Sequence, residues 1–516
     1  MTNEEEKAIK TRKAIDLKEK SEISDASTSL ERRALLKLDL FIMPMVISCF
    51  FFSYLDRSNL GNVRIVGLQK DLQMSDYDFS MALTVTFIPY ILVELPAMLT
   101  MRRIGAGVQI PLTVILWGLV TFLHGFVKSY SGLLVARFFL GLVEGGLYPG
   151  LVLYLSMFYT KTELQLRIGL FFSTMCLSGV ASGLLTYAIV KLDGRGGHTG
   201  WSWVFQIEGL VTIVFGIISF FLMPSSIKRM KLLTNEEKTI LIERLERNVM
   251  TSLASSAILD ENHPAKSTSQ QVWEAFKSPR VVMLSIAQFA SANNIASLAY
   301  FTPTIIHSFG YSPTATQLYS VPPLSLAFVT VLGVSYLSDR FQARGMATIC
   351  CATVSAVGFA VFYASSDYRV RYGSLFICSP GAYAVMPTLS AWASNNSEPY
   401  KRKASTIGLG SMSGAMGSLL SAWIFVLGRP PRYHLLTGLS LAFGGILIIV
   451  GILNMIWLGH AQRNKLYKRN KLLEKFTIHN LEGSATQVES GQDQDLLSAQ
   501  SWDHLGDQHP DFKYTY

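Results

Sequence analysis

Twelve stretches of apolar residues, each close to 20 residues long, constrain this chain more than any other feature of its sequence. Because a helix rises about 1.5 Å per residue, about 20 residues cross the roughly 30 Å hydrocarbon core of a bilayer. Half of the residues are apolar and only 16% are charged, a balance that a soluble domain of this length rarely has. The sequence therefore predicts an all-α membrane protein with twelve transmembrane helices. The predicted spans are residues 38–55, 79–99, 108–126, 131–157, 166–190, 201–223, 281–306, 318–337, 346–364, 372–392, 405–427 and 434–458.

The spans fall into two groups of six that resemble each other weakly. "RIGLFFSTMCLSG" at 167–179 matches "TIGLGSMSGAMG" at 406–417, and "MLTMRRIGAG" at 98–107 matches "SYLSDRFQARG" at 335–345. Similarity at a fixed offset indicates an internal duplication into two six-helix repeats. The predicted units are an N-terminal tail, a first half, a linker, a second half and a largely disordered C-terminal tail. In that order they cover residues 1–36, 37–224, 225–279, 280–460 and 461–516.

Lysine and arginine are abundant in the two tails and in the linker, which lie on one side of the membrane if twelve spans cross it. Because cytosolic flanks carry an excess of these residues, we expect both termini to be cytosolic. The net charge of +9 is then explained by attraction of these flanks to anionic lipid. We therefore expect contact with the lipid bilayer and no nucleic-acid partner.

The sequence indicates neither an enzyme nor a cofactor. All five cysteines fall inside predicted spans, where disulfides and zinc clusters are not expected. We find no metal-binding pattern of histidines and carboxylates, no phosphate-binding loop and no nucleophile with an evident base. We therefore expect no metal, no cofactor and a chain that functions as a monomer.

Ionisable residues inside spans are costly, so they usually pair or face a watery cavity and mark functional sites. The first span continues into "YLDRSNLGNV", which contains Asp56 and Arg57, and the fourth span contains Arg137 and Glu144. Seven residues correspond to about 700° of helical rotation, which places Arg137 and Glu144 on nearly the same face, about 10 Å apart.

Each pair also has a purely structural interpretation. Asp56 and Arg57 would then reach water from a helix end at the outer interface, and Arg137 and Glu144 would form an ion pair that fastens helices. The following stretch "SNLGNVRIVGL" is compatible with a helix and contains no proline, which favours a helix from about Leu38 to Val66 that buries Asp56 and Arg57. Span seven adds Asn294 and Tyr300 as candidate substrate-binding residues, although hydrogen bonding between helices explains its asparagines about as well.

The twelve spans and the basic turns after spans two and eight resemble the major facilitator superfamily, over residues 35–460. In that superfamily the turn reads Gly-x-x-x-Asp-Arg-x-Gly-Arg-Lys. The copy after span eight keeps Asp339, Arg340 and Arg344, but Ser335 replaces the glycine. The resemblance implies the major facilitator fold, with a gate between the two halves built from Asp339 and Arg340.

The copy after span two departs further from this pattern. It keeps Arg103 and Gly105, whereas Arg102 stands in place of the aspartate. The resemblance therefore implies an asymmetric gate, in which Glu94 or another acid serves as the partner for the Arg103 side.

"YLDRSNLGN" in span one and "RFFLGLVEGGLYPG" in span four resemble the anion:cation symporter family, and "LDGRGGHTGWSWVFQIEGL" resembles its fungal allantoate-permease branch. The resemblance implies secondary active transport at the plasma membrane. The substrate would be a small carboxylate such as nicotinate, pantothenate, allantoate or biotin, imported with a proton by alternating access. A non-transporting nutrient sensor of the same fold remains the alternative.

The same resemblance assigns roles to the four charged residues. Arg57 binds the substrate carboxylate, Asp56 and Glu144 carry the coupled proton, and Arg137 contributes to anion attraction or gating. On this interpretation Asp56 neutralises Arg57 while no substrate is bound. Retention of Asp56 and Glu144 favours transport over sensing, because a sensor has no need of coupled protonation.

Overall fold

The computed structural model describes residues 3–160, 163–249, 277–308, 310, 313–397, 400–427 and 434–467. Within these ranges every regular element is helical, in agreement with the predicted all-α class. Eleven of the described helical segments are long and apolar enough to cross a membrane, and each overlaps one predicted span.

The helices are α1 Asn3–Val63, α2 Gln69–Asp71, α3 Asp76–Ile104, α4 Ala106–His124, α5 Tyr130–Glu144, α6 Leu147–Leu155, α7 Leu164–Ile189, α8 Gly200–Leu222, α9 Asn235–Val249, α10 Pro279–Ser308, α11 Pro313–Phe341, α12 Arg344–Ala364, α13 Tyr368–Asn395, α14 Tyr400–Leu427 and α15 His434–Tyr467. A π-helical turn, Arg64–Leu68, joins α1 to α2, and short 3-10 turns occupy Val190–Leu192, Arg195–Gly197 and Ile227–Arg229.

The predicted tenth span, residues 372–392, lies in α13, which is less apolar than the eleven membrane-capable segments. Its 28 residues suffice to cross a bilayer. Every residue from Cys378 to Asn395 is buried against other helices, so this stretch presents no face to lipid and needs no apolar one. By contrast, Phe221 on α8 is 81% exposed and Leu318 on α11 is 71% exposed, as lipid-facing side chains are.

Helices before and after the linker meet in two equivalent places. The fifth span, α7, packs against the eighth, α11, and the second span, α3, packs against the eleventh, α14. The sequence repeat relates span five to span eleven and span two to span eight. If each span is replaced by its counterpart in the other repeat, the contact between spans five and eight becomes the contact between spans eleven and two. This is expected of two related six-helix units.

Glycines permit close helix packing within each six-helix group. A Cβ atom added to Gly209 of α8 would lie 2.3 Å from the Phe122 backbone nitrogen of α4. A Cβ atom on Gly417 of α14 would lie 2.1 Å from the Phe289 carbonyl oxygen of α10. Since no side chain fits there, the backbones themselves are in contact, which is a common way to pack helices in lipid.

The linker helix α9 is attached to α1 by ion pairs. Lys37 Nζ lies 2.7 Å from Glu237 Oε1, and Arg244 Nε lies 2.7 Å from Glu31 Oε1. Arg244 also contacts Glu163, which precedes α7. The hydrogen bond from Lys37 holds the pKa of Glu237 below its usual value. These contacts fix α9 at one end of the first six-helix group.

Candidate functional site

A central cavity lies between the two six-helix groups. α1, α3, α6 and α7 form one wall, and α10, α13 and α14 form the other. Its lining combines aromatic rings, small residues, one arginine and one glutamate. The lining residues are Tyr54, Arg57, Phe87, Tyr90, Glu94, Tyr148, Phe172, Ala292, Met386, Ser411, Gly414, Ala415 and Ser418.

Arg57 supplies the positive charge in the lining of this cavity, and it forms an ion pair with Glu144. Arg57 Nε donates a 2.9 Å hydrogen bond to Glu144 Oε1, which also accepts a 2.6 Å bond from Ser53 Oγ. The guanidinium lies 5.1 Å from the Tyr54 ring centroid and 5.0 Å from that of Tyr90, within cation–π range. Because the bond to Glu144 uses Nε, the two terminal nitrogens can turn toward a ligand. A forked guanidinium held in this way suits a carboxylate.

Asp56 points away from the cavity although it precedes Arg57 in the chain. Its Oδ2 accepts hydrogen bonds from Trp117 Nε1 and, at 3.3 Å, from Thr121 Oγ1, both on α4. Successive helical side chains diverge by about 100°, so neighbours can serve different places. The prediction that Asp56 neutralises Arg57 is therefore wrong, because Glu144 occupies that position.

Both acids are nevertheless buried inside the helix bundle. Asp56 is 5% exposed and Glu144 is 2% exposed, and α1 continues to Val63. The alternative in which Asp56 reaches water from a helix end is therefore wrong, whereas the Arg57 side chain, 30% exposed, faces the central cavity.

Asp56 belongs to a buried cluster of four ionisable side chains from four helices. The other members are His124 of α4, Arg137 of α5 and Glu208 of α8, and none of the four is more than 5% exposed. Asp56 is within electrostatic range of both Arg137 and Glu208, and Arg137 is within range of His124. Arg137 therefore lies in this cluster, whereas Glu144 pairs with Arg57 at the cavity.

Phe205 packs against two members of the cluster, and three members have buried polar atoms without a hydrogen-bond partner in the described part of the chain. The Phe205 ring centroid lies 5.7 Å from the Arg137 guanidinium carbon and 5.5 Å from the His124 ring. Within the described residues, no hydrogen-bond partner contacts either carboxylate oxygen of Glu208, the Oδ1 atom of Asp56 or the Nε2 atom of His124. Sequence reasoning missed Glu208 and His124, although both are ionisable residues inside predicted spans and the rule used for Asp56 would have found them.

Glu94 lies in the cavity wall and not at the turn that ends α3. It is fully buried, and one of its oxygens, Oε1, accepts a hydrogen bond from Ser411 of α14, across the interface between the two groups. Arg103 is exposed, and among the described contacts no ion pair joins it to Glu94. The gating roles predicted for Glu94 and Arg103 remain predictions.

Of the two candidates from span seven, Asn294 is buried and Tyr300 falls in α10. Asn294 is 1% exposed, and its amide atoms have no hydrogen-bond partner within the described part of the chain. It does not line the central cavity, whereas Ala292 does. The Tyr300 side chain lies outside the described residues, so its predicted role stays a prediction.

Asp339, at the end of α11, connects the two groups on the side where α7 begins. Its Oδ2 accepts a 2.6 Å hydrogen bond from the backbone N–H of Leu166, in the first turn of α7. The first N–H groups of a helix lack internal partners and favour an anion. Arg344 Nη2 lies 3.0 Å from Asp339 Oδ1, while Arg340 is exposed.

Gln165, which sequence reasoning did not single out, reinforces this contact. Its side-chain oxygen accepts bonds from Ser338 Oγ at 2.8 Å and from Arg344 Nε at 3.0 Å. An uncharged residue at a helix start carries no signal in the sequence that predicts such a role.

Two more hydrogen bonds join the groups nearer the cavity. The Tyr148 and Ser390 hydroxyl oxygens are 2.7 Å apart, and Trp423 Nε1 donates a 2.9 Å bond to Thr84 Oγ1. Thr84 lies toward the start of α3 and Leu166 at the start of α7, at opposite ends of the bundle if adjacent spans alternate in direction. The cavity is thus bounded by contacts at both ends.

The described residues contain no group of three or more His, Cys, Asp or Glu side chains able to hold a metal ion. All five cysteines are free.

Comparison with known proteins identifies relatives along most of the chain. The family described as Major Facilitator Superfamily matches residues 46–422. An uncharacterised transporter of Schizosaccharomyces pombe is 31% identical over 443 residues, which cover 85% of this chain and 86% of that protein. The high-affinity nicotinic acid transporter of Saccharomyces cerevisiae is 27% identical over 494 residues, which cover 96% and 86%.

Solved structures of superfamily members share the fold. The proton:xylose symporter XylE superposes with a TM-score of 0.62 at 14% identity, covering 82% of this chain and 96% of its own. FucP in an outward conformation gives a TM-score of 0.60 at 12% identity, covering 80% and 98%.

Proposed function

The chain belongs to the Major Facilitator Superfamily of membrane transporters, and from this premise we propose that it carries a small organic anion together with a proton. We further propose that it is a member of the anion:cation symporter family, in the fungal allantoate-permease branch. Its substrate would be a carboxylate such as nicotinate, pantothenate, allantoate or biotin. The similarity to a nicotinic acid transporter supports this class.

The observation that carries the proposal is the position of Arg57 in the wall of the central cavity, with Nε bonded to Glu144. A permanent cation next to a lined cavity attracts an anion, and the two tyrosine rings hold it in place without neutralising it.

Glu144 links binding of the anion to uptake of a proton. When a carboxylate contacts Arg57, two carboxylates face one cation in a setting of low dielectric constant, which disfavours ionisation of both. Proton uptake by Glu144 removes this repulsion, so proton and anion bind together. Asp56, which interacts electrostatically with Glu144, supplies a second site for the coupled proton.

Transport then requires the two six-helix groups to rock about the cavity. Separation at one end breaks the Asp339 contact with Leu166, and separation at the other breaks the Trp423 contact with Thr84. A monomer provides all of these contacts. We propose a plasma-membrane location with both termini in the cytosol.

The test is uptake into proteoliposomes that contain the full-length protein. Labelled nicotinate, pantothenate, allantoate and biotin are offered at an external pH of 5.5 or 7.5, with wild type, Arg57→Gln and Glu144→Gln. The control is Arg369→Gln, since Arg369 is exposed at the start of α13. We expect one carboxylate to accumulate with an acid outside, to be lost in Arg57→Gln and to lose its pH dependence in Glu144→Gln. Uptake that Arg57→Gln leaves unchanged contradicts the proposal, and binding without uptake indicates a sensor.

A further inference from the structure

We propose that Glu94 is a second polar contact for the substrate, and that among the carboxylates the site accepts, it binds most tightly a small aromatic one with an N–H or O–H donor at the end opposite its carboxylate. This inference rests on the proposed function, in which Arg57 holds the carboxylate. It adds the class of molecule that the remainder of the cavity fits.

The Glu94 carboxylate is incompletely satisfied in the cavity wall. Its side chain is fully buried and lines the cavity. Ser411 hydrogen-bonds to Oε1, whereas Oε2 has no hydrogen bond of ordinary geometry within the described residues, although Tyr90 and Arg57 interact with the carboxylate. A buried polar atom without a partner is costly, and a ligand donor in the cavity removes that cost.

Oε2 can accept a hydrogen bond in either protonation state of Glu94. The ionised carboxylate accepts at both oxygens. If Glu94 is protonated, the proton can reside on Oε1 and point to the Ser411 hydroxyl oxygen, which leaves Oε2 as the carbonyl acceptor. The preference for a donor on the substrate therefore does not depend on the charge of Glu94.

Arg57 and Glu94 border the cavity at different heights along α3. The Arg57 guanidinium lies over the Tyr90 ring of α3, and Glu94 follows Tyr90 by four residues on the same face of that helix. Four residues rise about 6 Å along a helix. A ligand whose carboxylate contacts Arg57 must therefore carry its donor away from that carboxylate to reach Glu94.

Aromatic side chains form the walls between these two polar ends. Five rings line the cavity, three from Tyr54, Phe87 and Tyr90 and two from Tyr148 and Phe172. Stacked and edge-on contacts with such rings favour a flat aromatic body over a flexible aliphatic one. Facing them, Ala292, Gly414 and Ala415 are too small to fill the space that a ring would occupy.

The test uses three benzoates of nearly the same shape and the full-length purified protein. Thermal unfolding is followed during titration with benzoate, 4-aminobenzoate or 4-hydroxybenzoate, which differ only in the donor opposite the carboxylate. We expect the two donor-bearing compounds to bind at least about tenfold more tightly than benzoate, since a site built around a hydrogen bond rejects a ligand that lacks it. Uptake of labelled benzoate and 4-aminobenzoate should show the same order.

Two variants assign the preference to Glu94. Glu94→Met removes the acceptor and should reduce the ratio between 4-aminobenzoate and benzoate to near one. Glu94→Gln retains an acceptor oxygen and should keep the ratio. An equal affinity of the wild type for all three compounds overturns the inference, as does a ratio that persists in Glu94→Met or disappears in Glu94→Gln.

The same titrations separate this inference from the proposed function. If pantothenate or allantoate binds in a manner that requires Arg57 while no benzoate binds, the anion site stands and the aromatic substrate class is wrong. If no carboxylate of either set binds, the proposed function itself fails.

Discussion

Arg57 and Glu144 are 87 residues apart in the chain, yet their Nε and Oε1 atoms lie 2.9 Å apart at the wall of the central cavity. Glu144 is 3% exposed at its side chain and Arg57 is 30% exposed. The acid is therefore enclosed while the cation faces the space where a ligand enters. This unequal burial lets the arginine change partners and leaves the glutamate dependent on a proton when it does so.

Replacement of Arg57 by lysine tests whether the guanidinium shape matters beyond its charge. Lysine retains the positive charge but cannot bond Glu144 and a carboxylate with one planar group. We expect Arg57→Lys to raise the KM for the transported anion about tenfold to hundredfold, the range for a lost charge-assisted hydrogen bond. Arg369→Lys, at an exposed position, is the control. An unchanged KM in Arg57→Lys would show that charge alone recruits the anion.

Glu208 is expected to contribute to proton coupling through Asp56. Glu208→Gln removes a titratable group from the buried cluster without changing its size. With one proton per substrate, a gradient of one pH unit supports about tenfold accumulation, and we expect the variant to lose most of it. Substrate exchange without a gradient should continue. The control is Glu236→Gln on the exposed face of α9, and wild-type accumulation in Glu208→Gln would exclude a coupling role.

Gly141 is expected to be required for the position of α5. A Cβ atom at Gly141 would lie 1.9 Å from the Thr86 carbonyl oxygen of α3, so Gly141→Ala must push the two helices apart. Overpacking of this kind costs about 1 to 3 kcal/mol. It also displaces Glu144, which lies about one helical turn after Gly141. We expect a lower Tm and slower uptake. Gly333→Ala, where nothing lies within 4 Å, should change neither, and an equal effect of both substitutions would contradict the packing argument.

Asp339 and Arg340 are expected to differ although they are adjacent. Asp339→Asn weakens the contact with the Leu166 N–H, which joins α7 to α11, and the ion pair with Arg344 of α12. We expect the population with these helix ends apart to rise about tenfold or more, as measured by spin–spin distances between labels at the start of α7 and the end of α11. Arg340→Gln, at an exposed side chain, should leave the distances unchanged; the reverse order would disprove this assignment.

The Lys37–Glu237 pair is expected to stabilise the docked α9 at neutral pH. Glu237 Oε2 also accepts a 3.0 Å hydrogen bond from the backbone N–H of Thr234. In return, the Thr234 hydroxyl oxygen accepts a 3.3 Å hydrogen bond from the backbone N–H of Glu237, so the two residues form a capping box. Since the pKa of Glu237 is lowered, this stabilisation is complete above the unfolded value of about 4.3 and is lost only as the pH falls below it.

Glu237→Gln should therefore lower the free energy of unfolding by about 1 kcal/mol. The resulting difference in Tm from the wild type should be the same at pH 5.5 and pH 8. Glu236→Gln, one residue earlier and exposed, is the matched control. A difference that shrinks between pH 8 and pH 5.5 would contradict the predicted direction.

The sequence alone determined the fold class and the identity of the main charged residues. Apolar length sets the number of spans because the bilayer thickness is fixed, and only α13, enclosed by other helices, is less apolar than the rest. Arg57, Asp56 and Glu144 could be singled out because a charge inside a span is costly and therefore rarely accidental.

Only the tertiary structure decided which charges meet. Asp56 and Arg57 are adjacent in the chain, but the helical rotation between them sends one side chain to Trp117 and the other to Glu144. From its position before the turn, the sequence predicts Glu94 as a partner in a gate. The packing of α3 on α14 places its side chain in the cavity wall, next to Ser411. Such pairings depend on the rotation and depth of helices from distant parts of the chain, which no local pattern records.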